Sequence, residues 1–226
     1  TVNPRTAPHT PEGDIDIESP ACLDMDLLGE HLNALARGEE IHLPRYNFVT
    51  RVQSGPIGRP MRLGKDEVAV CEGIHALNDD IAAYCPDAFR LYISARSVVV
   101  DSDGREVFKG TWMRLLRRLV RDSNFRGTPA AATLDMWANV RRGEKRFISP
   151  FKERANLMFD SSFPCEVSIL KNYAAPLLAA VPEGAERYAE IRSILPALER
   201  FETIDPALLA PESMLREFIG GGVYSY

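Results

Sequence analysis

The sequence predicts an α/β protein with a mainly parallel sheet flanked by helices, because short apolar runs typical of strands alternate with amphipathic segments of helical period. A second observation is the alternating, proline-containing stretch 41–63, which predicts a hairpin at a sheet edge. A third is the composition of the 226 residues, 45% hydrophobic and 26% charged, which is ordinary for a globular protein. A chain of this length can bury its core as a single domain.

The stretch that begins at Val68 organises the rest of the predicted sheet. Val68–Cys71 carries no charge and follows a charged turn, which predicts a fully buried strand. The strand would end on Glu72 and turn at Gly73. Since ligands bind beyond the carboxyl ends of parallel strands, we expect Glu72 to face that crevice. The alternative is that Glu72 only caps the following helix.

The first sixty residues predict a loop, a helix and a hairpin. Residues 1–20 are polar and rich in prolines, and they resemble a loop entered from something upstream. Ser19 and Pro20 have the chemistry of a helix start, and the helix would end near Gly38. In the hairpin, Tyr46 and Phe48 share a face, so they could stack on a flat ligand or pack onto the domain.

The remaining segments are assigned by period and by turn residues. Strands are predicted at 88–94 and 165–170, with a small glycine-turn hairpin at 97–108. Helices are predicted after Thr128-Pro129, from Ser149-Pro150 through Met158, at 173–181, at 185–200 and at 211–218.

One predicted helix carries an arginine face beside an apolar stripe. The stripe repeats at helical spacing and consists of Trp112, Leu115, Leu116, Leu119 and Val120, and the face consists of Arg114, Arg117, Arg118 and Arg121, with Arg126 just beyond. Like charges at this spacing repel, whereas an anionic ligand would convert the repulsion into binding. The planar guanidinium suits phosphate. The alternatives are a solvated face paired to acids elsewhere, and an RNA-binding surface, although the tryptophans lie on apolar faces.

Composition narrows the class of protein. A net charge of -5 gives no overall signature of a protein that binds nucleic acid or an anionic membrane. The four cysteines are scattered and predict reduced thiols, and there is no run long enough for a membrane span. The sequence therefore predicts a cytoplasmic protein without nucleic-acid or membrane partners, and leaves the oligomeric state open, a homo-oligomer included.

Five motifs occur in an order that resembles a known family. They are Glu18-Ser19-Pro20, Leu43–Phe48, Val70–Asn78, Leu115–Asp122 and Phe125-Arg126-Gly127. The chain resembles the bacterial nucleoside-kinase branch of the uridine kinase and phosphoribulokinase family over nearly its whole length. The resemblance implies a P-loop kinase that transfers the γ-phosphoryl group of ATP, with Mg²⁺, to a sugar hydroxyl, usually the 5′-hydroxyl of uridine or cytidine.

The resemblance also implies roles for individual residues. Glu72 matches the strand-end carboxylate near Mg-ATP, so it is expected to act in catalysis and to bind the metal. Lid arginines are expected to clamp phosphates, with Arg118 and Arg121 catalytic and Arg117, Arg121 and Arg126 binding the cofactor. The expected substrate-binding residues are Glu18 for the ribose hydroxyls, Tyr46, Phe48, Arg51 and His75. From its position alone, His75 could equally be a structural histidine.

Two departures from the family are visible. The chain has no GxxxxGK[ST] motif, and in the family the first strand, the P-loop and the catalytic aspartate precede the point where this sequence begins. We therefore expect 1–226 to be a single kinase-like domain that is incomplete at its N terminus. It would contain an acceptor-side hairpin at 41–63, lid helices at 112–142 and a C-terminal helical extension at 185–226.

The second departure is Arg51, which stands where the family has a histidine that reads the pyrimidine base. Uridine specificity is therefore open, and so is the choice between a nucleoside and another sugar acceptor. An alternative function is a non-catalytic module that binds nucleosides or nucleotides, or regulates, without a P-loop.

Overall fold

A computed structural model describes residues 7–11, 13, 15–47, 52–185 and 187–224. Its contacts divide the chain into two compact units. The first unit comprises 1–92 with 139–158, and the second comprises 93–138 with 159–226. The predicted assignment of the whole chain to one kinase-like domain stays a prediction.

The architecture is mixed α/β, as predicted, but the described strands form three separate pairs, one parallel and two antiparallel, instead of one mainly parallel sheet. The helices are α1 (Met25–Ala36), α2 (Asp79–Ala82), α3 (Gly110–Phe125), α4 (Ala130–Gly143), α5 (Glu166–Ala179), α6 (Tyr188–Glu199) and α7 (Arg216–Ile219). The strands are β1 (Ile41–Asn47), β2 (Val52–Met61), β3 (Leu91–Ser94), β4 (Val99–Val100), β5 (Glu106–Phe108) and β6 (Leu157–Asp160).

The hairpin predicted at 41–63 forms, although among the described residues it is a two-stranded sheet of its own instead of the edge of a larger one, and its acceptor-side role stays a prediction. β1 and β2 pair antiparallel, with Ile41 opposite Met61 and Asn47 opposite Val52. The register shifts on both sides of Pro44. Proline has no amide hydrogen to donate to the ladder, so an irregular register at Pro44 is expected.

The first helix begins later than predicted. The Ser19 hydroxyl accepts a hydrogen bond from the amide of Ala21, but this cap opens only a 3₁₀ turn, Pro20–Cys22. α1 starts after Asp24, whose carboxylate accepts from the amide of Leu27 at 3.1 Å. Two capping residues, Ser19 and Asp24, lie close together, and α1 begins after the second of them.

The predicted buried strand Val68–Cys71 is wrong. These residues form no strand, and the side chains of Val68 and Val70 are 85% and 87% exposed. A strand needs a neighbour for its backbone hydrogen bonds, and the sheets found among the described residues are two-stranded pairs that do not include this segment. An apolar run predicts burial only where a covering surface is present.

A parallel pair does form between β3 and β6. The amide of Leu157 donates to the carbonyl of Arg90, and the amide of Ser161 donates to the carbonyl of Ser94, so both strands run the same way. β3 confirms most of the strand predicted at 88–94. β6 contradicts the helix predicted through Met158, which stops as a 3₁₀ turn, Ser149–Arg154, because strand pairing satisfies the backbone that follows.

The strand predicted at 165–170 is also wrong, because these residues lie at the start of α5. Val167, Leu170, Ala174 and Leu178 are all buried along this helix. Their spacing of three and four residues matches a helical period, and the prediction treated the first half of this pattern as a separate apolar run. The correction places Glu166 in the first turn of a buried helix.

The core of the second unit lies around α3. The predicted stripe is confirmed, since the side chains of Leu115, Leu116, Leu119 and Val120 have no exposed surface. α3 packs on α5 and α7, and α5 packs on α6. The predicted hairpin is confirmed as β4 and β5, from which Phe108 stacks edge-on against Trp112 at 5.4 Å between ring centroids.

Candidate functional site

α3 presents its arginines beside the buried stripe, and the structure places the four predicted phosphate-binding arginines in three different environments. Arg117, Arg118 and Arg121 lie along the helix and Arg126 is its C-terminal cap residue. The core side of the helix is apolar. The guanidinium groups pair instead with three carboxylates, those of Glu166, Asp122 and Glu217.

Arg117 is held in a buried ion pair. Its Nε and Nη2 both donate to the carboxylate of Glu166, the Nη2–Oε2 distance being 2.7 Å, and Nη2 also donates to the carbonyl of Ser161 at 2.6 Å. The Glu166 side chain has no exposed surface. Since these contacts join α3 to α5, the geometry favours a structural role for Arg117 over binding of a cofactor.

Asp122 pairs with two further arginines, through a hydrogen bond from Arg126 and a charge contact with Arg118. It is 2% exposed, its Oδ1 accepts from Arg126 Nη1 at 3.0 Å, and its Oδ2 lies 3.3 Å from Arg118 Nε. The hydroxyl of Thr133 also donates to Oδ2, at 3.3 Å. One buried carboxylate therefore serves two guanidinium groups, which leaves this group of charges net positive.

Arg121 reaches a different element. Its Nη1 donates to Glu217 of α7 at 3.0 Å, and both side chains are about one third exposed. The guanidinium carbons of Arg117 and Arg121 lie 5.2 and 6.0 Å from the ring centroid of Phe218. Arg121 is thus placed by a salt bridge and an aromatic contact that solvent can reach.

Glu18 lies against the end of α4 in the first unit. A Cβ on Gly143 would fall 2.4 Å from the Cβ of Glu18, so only glycine permits this approach. The neighbouring Asp16 is buried, and its carboxylate lies 3.8 Å from Arg142. The segment that carries Glu18 is therefore fixed next to α4.

His75 is buried, and its ring stacks edge-on against Phe147 at 6.4 Å. Burial lowers the pKa of His75, and its Nδ1 has no hydrogen-bond partner within the described part of the chain. Both observations favour a neutral imidazole near pH 7. Glu72 lies on an exposed coil instead of a strand end.

Some of the predicted site residues lie outside the part of the chain that the structure describes. The backbone of Tyr46 belongs to β1, but its side chain lies outside the described residues, as do Phe48 and Arg51. Glu18, Glu72 and His75 belong to the first unit, and the arginines of α3 belong to the second. The roles given to all of these residues stay predictions.

Sequence reasoning missed a strand-end carboxylate. Asp160 ends β6 and accepts hydrogen bonds from the hydroxyls of Ser162 and Ser97, at 2.7 and 2.8 Å, and from the amide of Arg96 at 3.0 Å. Burial raises the pKa of Asp160, but these hydrogen bonds outweigh it, so the net pKa lies well below its usual value. The signal was available as Asp-Ser-Ser after an apolar run, which the prediction had placed beyond a helix.

A profile of the phosphoribulokinase / uridine kinase family matches residues 1–167. The chain belongs to this family. The matched range contains every residue that the sequence predicted for the site, from Glu18 to Arg126. It ends before α6 and α7, so Glu217 lies outside it.

Individual relatives agree with the family assignment. The chain is 28% identical over 153 residues to a protein named uridine kinase from Bacillus pumilus, and 29% identical over 153 residues to one of the same name from Oceanobacillus iheyensis. Each alignment covers 67% of this chain and 64% of the relative. A uridine kinase from Halobacterium salinarum is 28% identical over 152 residues, 67% of this chain and 60% of the relative.

Among the residues that the structure describes, no group of three or more histidine, cysteine, aspartate or glutamate side chains is arranged to hold a metal ion. In the same residues, no helix has both the length and the apolar character needed to span a bilayer.

Proposed function

We propose that this chain carries the acceptor side and the lid of an ATP-dependent nucleoside kinase, which transfers the γ-phosphoryl group to the 5′-hydroxyl of a nucleoside. The observation that carries the proposal is the arginine face of α3, whose guanidinium groups pair with Asp122 and Glu217 within a chain of the uridine kinase family. The proposed location is the cytoplasm, which suits four cysteines that are all free.

The proposed chemistry needs charge neutralisation more than covalent help. In phosphoryl transfer the charge is spread over the oxygens of the transferred group, and catalysis comes mainly from positioning and electrostatic stabilisation. Arg118 and Arg126 share one carboxylate, so their combined charge is available to an anionic group. Arg121 would exchange its contact with Glu217 for a phosphate oxygen. The proposal does not assign phosphate binding to Arg117, because its Nε and Nη2 already donate to Glu166.

ATP and Mg²⁺ fit the residues to which the proposal assigns them. The guanidinium groups of Arg118, Arg121 and Arg126 are bidentate donors suited to phosphate oxygens. The exposed carboxylate of Glu72 is the hard oxygen ligand that Mg²⁺ takes together with phosphate oxygens and water. When bound, Mg²⁺ would offset phosphate charge. The 226 residues contain no GxxxxGK[ST], so the proposal assigns the phosphate cradle to none of them.

The acceptor side is proposed on the first unit. Glu18 would accept hydrogen bonds from the ribose hydroxyls, since its segment is fixed beside α4. Tyr46, Phe48 and Arg51 would contact the base, and the neutral imidazole of His75 would support the wall of the site. The identity of the base is left to measurement, because an arginine occupies the position of the family's base-reading histidine.

The test is phosphoryl transfer by the longest natural form of the polypeptide. Replacing Arg118 or Arg121 by Ala should lower kcat by about 100-fold or more, the usual effect of removing one preorganised donor. Arg105, an exposed residue that pairs with Asp103, is a matched control, and its replacement by Ala should leave kcat unchanged. Wild-type kcat in both the Arg118→Ala and the Arg121→Ala variants would refute the proposed role of these arginines in phosphoryl transfer.

A second candidate function is a module that binds nucleosides or nucleotides without catalysis. It would use the same arginine face of α3 and the same acceptor-side residues, and it requires no GxxxxGK[ST] motif. Saturable nucleoside binding without ADP formation, by the longest natural form, would support this function over the kinase.

A further inference from the structure

A cleft of about 410 Å³ lies in the second unit, between the C-terminal end of α3 and the segment that follows α7. Arg121 and Arg126 line it from α3, and Arg216, Glu217 and Tyr224 line it from the other side. Its volume is at the lower end of the range for small-molecule sites, roughly 300–1,000 Å³, which suits a ligand of one base, one sugar and one phosphate.

The charge of the cleft favours an anion. Three arginines line it against one glutamate. Arg126 pairs with Asp122, and Arg121 pairs with Glu217. The Nε atoms of Arg121 and Arg216 are buried without a hydrogen-bond acceptor in the described part of the chain. Arg216 already donates to the carbonyls of Gly220, Pro206 and Leu209 through its Nη atoms. Arg121 and Arg126, whose side chains are partly exposed and each pair with a carboxylate, are therefore the arginines available to an incoming anion.

A run of three glycines brings backbone close to these arginines. Gly220 and Gly221 have φ angles of +85° and +72°, which residues with a Cβ rarely adopt. A Cβ on Gly222 would lie 2.9 Å from the Cβ of Arg216. Among the described hydrogen bonds none is donated by the amides of Gly221 or Gly222, and paired backbone amides of this kind can bind phosphate oxygens.

Two exposed aromatic rings complete the lining. Phe125 at the end of α3 and Tyr224 in the C-terminal segment are 57% and 59% exposed, and both line the cleft. A flat heterocycle stacks favourably on such a ring, as bases do on aromatic side chains in nucleic-acid complexes. Aromatic rings next to guanidinium groups and glycine amides match the two halves of a nucleotide.

We propose that this cleft binds a nucleoside monophosphate, with its phosphate on Arg121, Arg126 and the glycine amides and its base against Phe125 and Tyr224. Glu217 competes with the phosphate for Arg121, at the 3.0 Å contact that now joins them. Without ligand, the carboxylate of Glu217 occupies the guanidinium group of Arg121. The bound phosphate takes its place there.

The inference goes beyond the family match and deepens the proposed function. Arg216, Glu217, the glycines and Tyr224 all follow residue 167, where the family profile ends. The inference shares Arg121 and Arg126 with the proposed phosphate clamp, so it rests in part on that proposal. It adds a ligand class and an aromatic surface, Phe125 and Tyr224, that the clamp does not require.

Calorimetric titration of the 226-residue protein tests the inference at an ionic strength of about 0.15 M. The probes are UMP, AMP, ADP, uridine and inorganic pyrophosphate. We expect the monophosphates to bind more tightly than uridine or pyrophosphate, because only they engage both halves of the cleft. Tighter binding of ADP than of either monophosphate would overturn the assignment to monophosphates.

Variants separate the parts of the site. Arg126→Ala should weaken UMP binding roughly tenfold or more, as loss of a charged hydrogen bond does. Glu217→Gln should tighten it about fivefold, the upper value for a solvent-exposed ion pair. Phe125→Ala should weaken UMP and leave pyrophosphate unchanged. The matched control is Arg192→Ala, an exposed arginine of α6 that does not line the cleft.

The inference is overturned if UMP does not bind saturably, or if Arg192→Ala weakens it as much as Arg126→Ala. It is also overturned if Glu217→Gln fails to tighten binding in a variant whose circular dichroism is unchanged. Nucleotide binding without phosphoryl transfer by the longest natural form would refute the proposed kinase and leave this site standing. Phosphoryl transfer without UMP binding in the cleft would support the kinase and overturn the cleft site.

Discussion

Replacing Glu166 by Gln should destabilise the second unit strongly, because it leaves the guanidinium of Arg117 buried without its counter-charge. Glu166 has no exposed surface, and it accepts from two nitrogens of Arg117 and from the amide of Phe163 at 3.2 Å. Breaking one side of a buried ion pair costs about 3–5 kcal/mol. For a chain of 226 residues each kcal/mol shifts Tm by roughly 2–4 °C, so Tm should fall by about 6–20 °C.

The assay is urea unfolding followed by circular dichroism, with the exposed pair of Arg105 and Asp103 as a control. Asp103→Asn should cost no more than about 1 kcal/mol, since exposed ion pairs contribute little. Replacing Arg117 by Met together with Glu166 by Leu should restore most of the stability, because no charge then stays buried. A loss below about 1 kcal/mol in Glu166→Gln would refute the structural role of this pair. Arg117 would then return to the candidate phosphate ligands.

Three further predictions concern the first unit and the end of β6. Val70→Lys should change the free energy of unfolding by no more than about 0.5 kcal/mol, because the side chain is exposed; a loss of several kcal/mol would mean that a buried strand forms here after all. Burial lowers the pKa of His75, so the folded state binds fewer protons than the unfolded state below about pH 6.5. Stability should therefore fall as the pH drops from 7 through this range and fall less in His75→Gln, whereas a rise on acidification in urea titrations would contradict the assignment. Because the pKa of Asp160 is lowered in the folded state, its carboxylate stabilises the fold. This contribution to stability is complete above about pH 3.9 and is lost as the pH falls further. Asp160→Asn should accordingly be less stable at pH 7 with a shallower acid limb, and an unchanged acid transition would contradict this.

The parts of the fold that depend on local pattern could be predicted from the sequence. The stripe of α3 repeats at helical spacing over two turns, and every predicted member from Leu115 to Val120 is buried. The hairpin of β1 and β2 was marked by alternation and by prolines. In both cases the local preference and the tertiary environment agree, so nothing distant had to be known.

The parts that depend on distant partners could not be predicted in this way. Val68–Cys71 has the composition of a buried strand, but burial requires a neighbouring strand that the described residues do not provide. Glu166 is 49 positions from Arg117, and assigning it to a strand hid the ion pair. The apolar residues of α5 at 167 and 170 belong to one helical pattern with those at 174 and 178.

The candidate site shows the same division. The arginine face was predicted from its spacing, and the resemblance supplied its role. The sequence did not indicate which arginine is structural, since that depends on which carboxylate lies beside it. Arg117 meets a fully buried glutamate, whereas Arg121 meets Glu217 at a surface that solvent can reach. The contact of the glycine run after α7 with Arg216 was not indicated either, because it depends on tertiary structure.

The most direct test of the central claim is nucleoside-dependent formation of ADP by the longest natural form of the polypeptide, with ATP and Mg²⁺ present. The account predicts ADP release that requires a nucleoside, shows a preference among uridine, cytidine, adenosine and guanosine, and yields the corresponding 5′-monophosphate. If ADP release is absent with every nucleoside, or is the same with and without one, the chain does not serve a nucleoside kinase and the proposal is contradicted.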